Sequence, residues 1–285
     1  MRFNHFILTR FNIRLWWHED KAHHAVQTAE WLDERFRLFE NYTWPSVKAQ
    51  TCSNFQWICL FDEDTDVIHK VIIKRYADTD RRFHPVYVRR DEALHFQDIF
   101  RREIIRLADS TTDHLLTTYL DSDDALHHRF IEDIQRRAKT LKYGTIISYI
   151  NGIQYYESMN LAVCIPYKNN HFLTYYERLK EKNLTVWGFW HFSILKYKNL
   201  HIELVDDRRE PMWVEVIHAC NVDNDVKMTL RHKLLTDPLL LHNYGLDIKL
   251  PPKQRCRQLF LTAFVRRFTN QVVRRSKDKL LNKKR

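Results

Sequence analysis

Three carboxylates fall within four residues at Asp121-Ser122-Asp123-Asp124, directly after the apolar run Leu115-Leu116-Thr117-Thr118-Tyr119-Leu120. Carboxylates at the end of a buried strand are costly to hide without a partner, and three so close repel one another unless solvent or a cation intervenes. Hard oxygen ligands of this kind suit Mg²⁺ or Mn²⁺, which keep waters and also accept phosphate oxygens. Such an ion would bridge a diphosphate and stabilise it as a leaving group. The competing reading is a helix N-cap, with Asp123 or Asp124 capping the helix that contains Phe130. Other patterns fail on spacing. An EF-hand loop counted from Asp121 needs Gly where Leu126 stands. A DxDx[TV] nucleophile motif needs Thr or Val where Ala125 stands, and Asp62-Glu63-Asp64 fails the same test at Asp66. His18-Glu19 has no His in register for a zinc-binding HExxH. The chain holds only 4 Gly, and neither GxGxxG nor a Walker A loop can be written with them. Any phosphate would therefore be held by metal and basic side chains.

The elements that position these residues follow from apolar spacing. Phe6-Ile7-Leu8, Phe55 to Phe61, Pro85 to Val88 and Leu115 to Leu120 read as strands. Leu32, Phe36 and Phe39, then Phe96 to Leu107, then Phe130 to Leu141 carry helical periodicity. This alternation predicts an α/β fold with a parallel sheet and crossover helices, in which ligands bind at the carboxyl ends of strands. Both acidic clusters lie at such ends. After residue 143 the pattern changes: Thr145 to Ile150, Asn151-Gly152 and Ile153 to Tyr156 read as a hairpin, followed by the aromatic-rich stretch Val186 to Phe192. One domain over 1–264 is expected, in halves 1–143 and 144–264, before a basic segment at 265–285.

The 285 residues carry a formal net charge of +10. Residues 265–285 hold nine Lys/Arg and one Asp, so the body is close to neutral and offers no basic track for nucleic acid. Leu261, Phe264, Val265, Phe268 and Val272 recur at helical spacing, flanked by Arg266, Arg267, Arg274 and Arg275. Over 257–285 this reads as a basic amphipathic helix able to lie on an anionic membrane face. No apolar run reaches the ~18 residues of a spanning helix. No signal peptide is read at the N-terminus, and the 5 Cys without a CxxC suit a reducing compartment. A cytoplasmic location, peripheral on the inner membrane face, is the expectation.

Beyond these features, the chain resembles the rhamnosyltransferase family, within the metal-dependent glycosyltransferases of the GT-A type. Five blocks carry the likeness in order: Phe6 to Asn12; Trp31 to Glu40 with Pro45 to Thr51; Phe55 to Asp62; Thr118 to Leu126; and Trp213 to His218 with Asn221. Tyr119 and Ser122 stand where the family usually has Arg and Asn, and neither change removes a carboxylate.

The resemblance implies a GT-A fold, with a Rossmann-like half for a nucleotide-sugar and a more variable half for the acceptor. Asp121, Asp123 and Asp124 would hold Mn²⁺ or Mg²⁺ against the donor diphosphate, with His218 as a further ligand. Thr9, Arg10 and Asn12 would line the nucleotide pocket, Asp62 would contact the base, and Arg102 would meet the diphosphate. Asp206 and Asp207 lie 85 and 86 residues after Asp121, near where inverting members carry the general base; Asp207 is favoured, and Asp206 could exchange roles with it. Trp187 and Trp190 would stack on the acceptor sugar. The expected reaction moves a sugar from a nucleoside-diphosphate donor, dTDP-rhamnose if the family label extends to it, to a glycan or lipid-linked saccharide. A metal-dependent phosphoesterase or nucleotidyltransferase is the competing enzyme, and a tail-driven membrane- or nucleic-acid-binding module the non-enzymatic rival.

Overall fold

The computed structural model describes residues 1–16, 25–198, 200–218, 229, 232–237 and 239–265. His18, His23, His24, Asn221 and the tail segment 266–285 lie outside the described residues.

Strands β1 (Asn4–Arg10), β2 (Gln56–Asp62), β3 (Phe83–Val88) and β4 (His114–Tyr119) run parallel in the order β3-β2-β1-β4. Between them come α1 (Ala29–Leu38), which passes through a π turn into α2 (Trp44–Lys48), then α3 (Val67–Thr79) and α4 (Phe96–Leu107). Helices on both faces explain why β2 is almost uniformly apolar. Trp57, Cys59 and Phe61 point into one core with Phe36, Phe39 and Ile73, whereas Ile58 and Leu60 point into another with Phe96, Phe100 and Ile104. Local capping sets the helix starts: Thr28 Oγ1 accepts the Trp31 N–H, and Asp66 Oδ1 accepts the His69 N–H.

A buried ion pair fixes the turn from α3 into β3. Asp80 accepts from Arg82 Nη2 at 2.6 Å and Nε at 2.9 Å, with Lys48 Nζ at 3.5 Å. Burial alone would raise this carboxyl, but the Arg82 hydrogen bonds and the Arg82 and Lys48 charges outweigh it and hold it at about 2. A depressed carboxyl stabilises the fold above its ordinary pKa and loses that contribution as pH falls through the folded value. Asp80→Asn is therefore expected to cost about 1 kcal/mol at neutral pH after solvent screening, with the difference from wild type vanishing between about pH 4 and pH 2. Urea unfolding at several pH values measures it.

β4 runs out into the acidic segment, then a two-residue β5 (Ala125–Leu126) and α5 (Phe130–Ala138). The remaining strands are β6 (Thr145–Tyr149), β7 (Asn151–Tyr156), β8 (Leu161–Pro166), β9 (Leu173–Arg178), β10 (His201–Val205), β11 (Trp213–Ile217) and β12 (Lys233–Leu234). The first sheet is completed in the order β10-β6-β9-β4-β1-β2-β3, with β9 antiparallel between β4 and β6. A second sheet has the order β12-β8-β7-β11-β5. The result is a mixed α/β fold whose parallel, helix-flanked part is the Rossmann-like half.

Two expectations change. The stretch 145–156 is not a hairpin, because β6 lies in the first sheet and β7 in the second. The chain crosses between sheets at Ile150, and Gly152 serves space rather than a turn: a Cβ there would lie 2.0 Å from the Trp213 ring. Nor does residue 143 divide the sheets, since β6, β9 and β10 extend the first and β5 joins the second. The aromatic stretch forms short 3₁₀ turns at Val186–Gly188 and His191–Lys196.

Residues 253–265 are helical and bury Cys256 and Phe260 in the core, leaving Leu261 and Val265 exposed. Among the described residues no helix is long and apolar enough to cross a membrane.

Candidate active-site cleft

β1 and β4 are paired neighbours, with Leu8 opposite Tyr119, so the segments leaving their carboxyl ends open on the same side. A cleft of about 540 Å³ lies there, lined by Arg10 at the end of β1 and Asn12 just after it, Asp121 and Asp123 after β4, Arg35 from α1, and His171 before β9.

The three carboxylates of the acidic segment have different surroundings. Asp121 is partly exposed and accepts from Tyr119 Oη through both oxygens, at 2.8 and 2.9 Å. Burial above all, with the Asp121 charge, keeps that phenol protonated well above the usual range. Asp123 is buried and accepts from Arg35 Nη1 at 2.9 Å and pairs with His218 Nε2 at 2.9 Å. Burial would raise Asp123, but the Arg35 charge and the His218 bond hold it well below the usual carboxylate range. Asp124 is fully buried, takes the Val216 N–H at 2.9 Å from β11 and pairs with His171 Nε2 at 2.7 Å. Burial pushes the Asp124 carboxyl up. Burial pulls His171 down, yet the bond to Asp124 and the charges of Asp124 and Asp121 raise it overall.

Asp121, Asp124 and His171 each offer a ligand atom within 4.8 Å of the others, a spread that one ion can bridge. Two carboxylates and an imidazole form a mixed hard and borderline donor set that fits a divalent cation with waters completing its shell. His218 is not part of this group, because Asp123 stands between it and the cleft.

Arg10 lies with its Cζ 4.1 Å from the Trp187 ring centroid and 5.0 Å from that of Phe96, while its buried Nε has no hydrogen-bond partner. A guanidinium packed against an indole keeps its charge for an anion. Asn12 lines the cleft, but both ends of its amide tie loops together: Nδ2 donates to Thr65 Oγ1, and Oδ1 accepts the Asp62 N–H. Trp187 packs against Arg10, Phe96 and Tyr119, whereas Trp190 stands exposed at the rim.

Several sequence candidates are not brought to the cleft. Thr9 points into the core, where its Oγ1 accepts from Trp57 Nε1 at 2.9 Å. Asp62 ends β2 and is bound by Arg14 Nε at 2.6 Å beside the cleft rather than in it. Arg102 lies on the outer face of α4 near Glu103. Asp206 and Asp207 line a separate surface depression with Arg137 and Glu203; Asp206 accepts from Asn151 Nδ2, and Asp207 pairs with Arg209. The antiparallel insertion of β9 between β4 and β6 carries β10 and its acidic loop to the far edge of the sheet.

Two residues escaped the sequence reading. His171 is a lone histidine in Asn169-Asn170-His171-Phe172, with no spacing signal. Arg35 lies in the Trp31–Glu40 block, and its helical offset of four residues from Trp31 is the only local hint. It also bonds Ser122 Oγ and lies over the Trp31 ring. The Arg35 and Asp123 side chains are only 11% and 7% exposed, so Arg35→Met takes from a buried carboxylate its guanidinium and leaves it His218 alone among the side chains described at it. A loss of about 3 kcal/mol in stability is expected, with Asp123→Asn in the same chain recovering part of it in a double-mutant cycle.

No curated protein is significantly similar in sequence. Among solved structures, S. aureus TarS 1-349 matches at 10% identity and a TM-score of 0.39, over 76% of this chain and 60% of that one. TarS 1-349 in complex with UDP matches at 13% identity and a TM-score of 0.41, over 76% of this chain and 61% of that one. This chain thus spans about 60% of the length of these two solved chains. A family model described as "Putative rhamnosyl transferase" matches residues 1–230. With the acidic end of β4 inside that match, the chain belongs to this rhamnosyl transferase family of glycosyltransferases.

Proposed function

We propose that the chain moves a sugar from a nucleoside-diphosphate donor to a saccharide hydroxyl in a reaction that needs a divalent cation. One observation carries this reading: Asp121, Asp124 and His171 gather at the carboxyl end of β4, and Asp121 and His171 line, with Arg10 and its unpaired Nε, a cleft large enough for a nucleotide. Asp121, Asp124 and His171 would hold Mn²⁺ or Mg²⁺, which when bound neutralises charge on the departing diphosphate.

The chain's own groups do the rest. Arg10 donates to a phosphate oxygen from its place on Trp187. Arg35 fixes Asp123 and so the turn that aims Asp121. Tyr119 Oη holds Asp121 in one rotamer. Trp190 offers an open aromatic face to the acceptor sugar. The acceptor oxygen forms a bond to the anomeric carbon as the bond from that carbon to diphosphate breaks. The hydroxyl proton passes to a base within hydrogen-bond reach. Asp206 and Asp207 lie outside the cleft and are not retained in that role. The basic segment 257–285 supplies an electrostatic contact with an anionic membrane face.

Calorimetric titration of dTDP, UDP and GDP, each with and without Mn²⁺, tests the reading. Metal-promoted binding of one of them is expected, with dTDP selecting the rhamnosyl donor. Failure of all three to bind folded protein overturns it, and cleavage of a nucleotide-sugar without any acceptor would favour the phosphoesterase reading. Arg10→Ala is expected to weaken the best nucleotide about tenfold in the same titration.

A further inference from the structure

We propose that the loop between β9 and β10 is a membrane-docking surface that seats the mouth of the cleft on an anionic lipid bilayer. Leu184, Trp190, Phe192, Leu195 and Tyr197 are each between 39% and 59% exposed in this loop. Three of them form a patch: the Trp190 and Phe192 ring centroids are 5.8 Å apart, and Tyr197 Oη accepts the Trp190 N–H; Leu184 and Leu195 neighbour this patch along the chain. Trp190 and Phe192 also line the cleft, as do the exposed Trp16 and Leu94, so the apolar patch runs into its mouth.

The fold holds these side chains outward. Thr185 has φ 59, a left-handed conformation rare for a β-branched residue. Glu177 fixes it by accepting the Leu184 and Thr185 N–H groups at 3.1 and 2.8 Å, and Thr117 Oγ1 accepts the Val186 N–H at 2.8 Å. Asn183 and the buried Ile194 pin the rest, with Arg101 Nε donating to the Asn183 carbonyl at 2.6 Å. Ordering large apolar groups against water runs counter to the hydrophobic effect unless something covers them.

The loop's charge identifies the cover. Lys180, Lys182, Lys196 and Lys198 are exposed and form no ion pair among the described residues, against the single exposed acid Glu181. Exposed aromatic rings and unpaired lysines in one loop match a headgroup layer, where rings enter the acyl boundary and ammonium groups meet lipid phosphates. A second copy would bring the same lysines and a chain of net charge +10 against them. Docking does not rest on the transfer reaction proposed above. Taken with it, docking presents the cleft to an acceptor carried on a lipid.

The full chain is tested by co-sedimentation with phosphatidylcholine vesicles with and without phosphatidylglycerol, using L184S/L195S and K196Q/K198Q, which leave the cleft lining intact. The wild type is expected to bind the anionic vesicles, with each variant at least about tenfold weaker and nucleotide binding unchanged. The same loss is expected in a chain whose tail is neutralised by R266Q/R267Q/R274Q/R275Q. Equal vesicle binding by wild type and loop variants, or no binding by wild type, overturns the proposal. So does a wild-type oligomer that dissociates in L184S/L195S by light scattering, which would give the patch to a protein contact. Loss of nucleotide binding in the wild type would count against the transfer reaction alone.

Discussion

The Asp121→Asn protein is expected to fold like wild type, to lose about 100-fold or more of its Mn²⁺-promoted affinity for the nucleoside diphosphate, and to turn over about a thousandfold more slowly. The Asp121 side chain is 30% exposed, and its described hydrogen bond comes from Tyr119 Oη, which the amide oxygen of Asn can still accept. Folding therefore has little to lose. The change removes a negative ligand from the group formed with Asp124 and His171. The metal-independent part of nucleotide binding, proposed above to rest on Arg10, should survive. Asp124→Asn is a poorer probe, because that carboxyl is fully buried between His171 and the Val216 N–H, and its loss disturbs packing as well as chemistry. Calorimetry with and without Mn²⁺ on Asp121→Asn, with circular dichroism as the folding check, decides the point. Metal-promoted binding equal to wild type would remove Asp121 from the site.

Gly152→Ala is expected to lower stability by more than about 3 kcal/mol, above the usual range for overpacking. The new Cβ would lie 2.0 Å from Trp213 Cδ2 and 2.2 Å from its Cε2 and Cε3. The indole cannot step aside. It is fully buried, its Nε1 donates to the Tyr149 carbonyl at 2.8 Å, and it stacks on Phe172 with centroids 4.8 Å apart at 10°. At a compatible site, Gly→Ala would stabilise by about 0.4–1 kcal/mol through the unfolded chain, so a large loss identifies the clash. Trp213→Leu should recover part of the loss in the double variant and cost stability alone, a strongly non-additive cycle in urea unfolding. The damage should reach the cleft, since β11 carries both Trp213 and the Val216 N–H that holds Asp124.

The same glycine shows where reading from sequence stops. Asn151-Gly152 between two apolar runs has the local chemistry of a tight turn, and the alternative, an indole pressed on the Gly152 backbone from 61 residues away, leaves no local trace. Strands and helices were legible because burial imposes a period of 2 or 3.6 on nearby residues. β2, α4 and β4 thus follow from spacing alone, and with them the position of the acidic segment at a strand end.

The site divides along the same line. Asp121, Asp123 and Asp124 stood out because three adjacent carboxylates after a buried strand demand partners. Which partners they meet is nonlocal: Arg35 comes from 88 residues before Asp123, and His171 from 47 after Asp124. Thr9 sits on a strand whose alternate residues face opposite sides, and its side chain falls on the Trp57 side rather than at the opening. Asp206 and Asp207 had the sequence distance of a base, but β9 inserted antiparallel beside β4 and sent them to the sheet's far edge. The sequence by itself determined the α/β class, the parallel core and the acidic end of β4, because these depend on neighbours along the chain. Tertiary structure alone decided that His171 completes the Asp121–Asp124 group and that Arg35 claims Asp123, because strand order and register choose contacts between residues that no local period links.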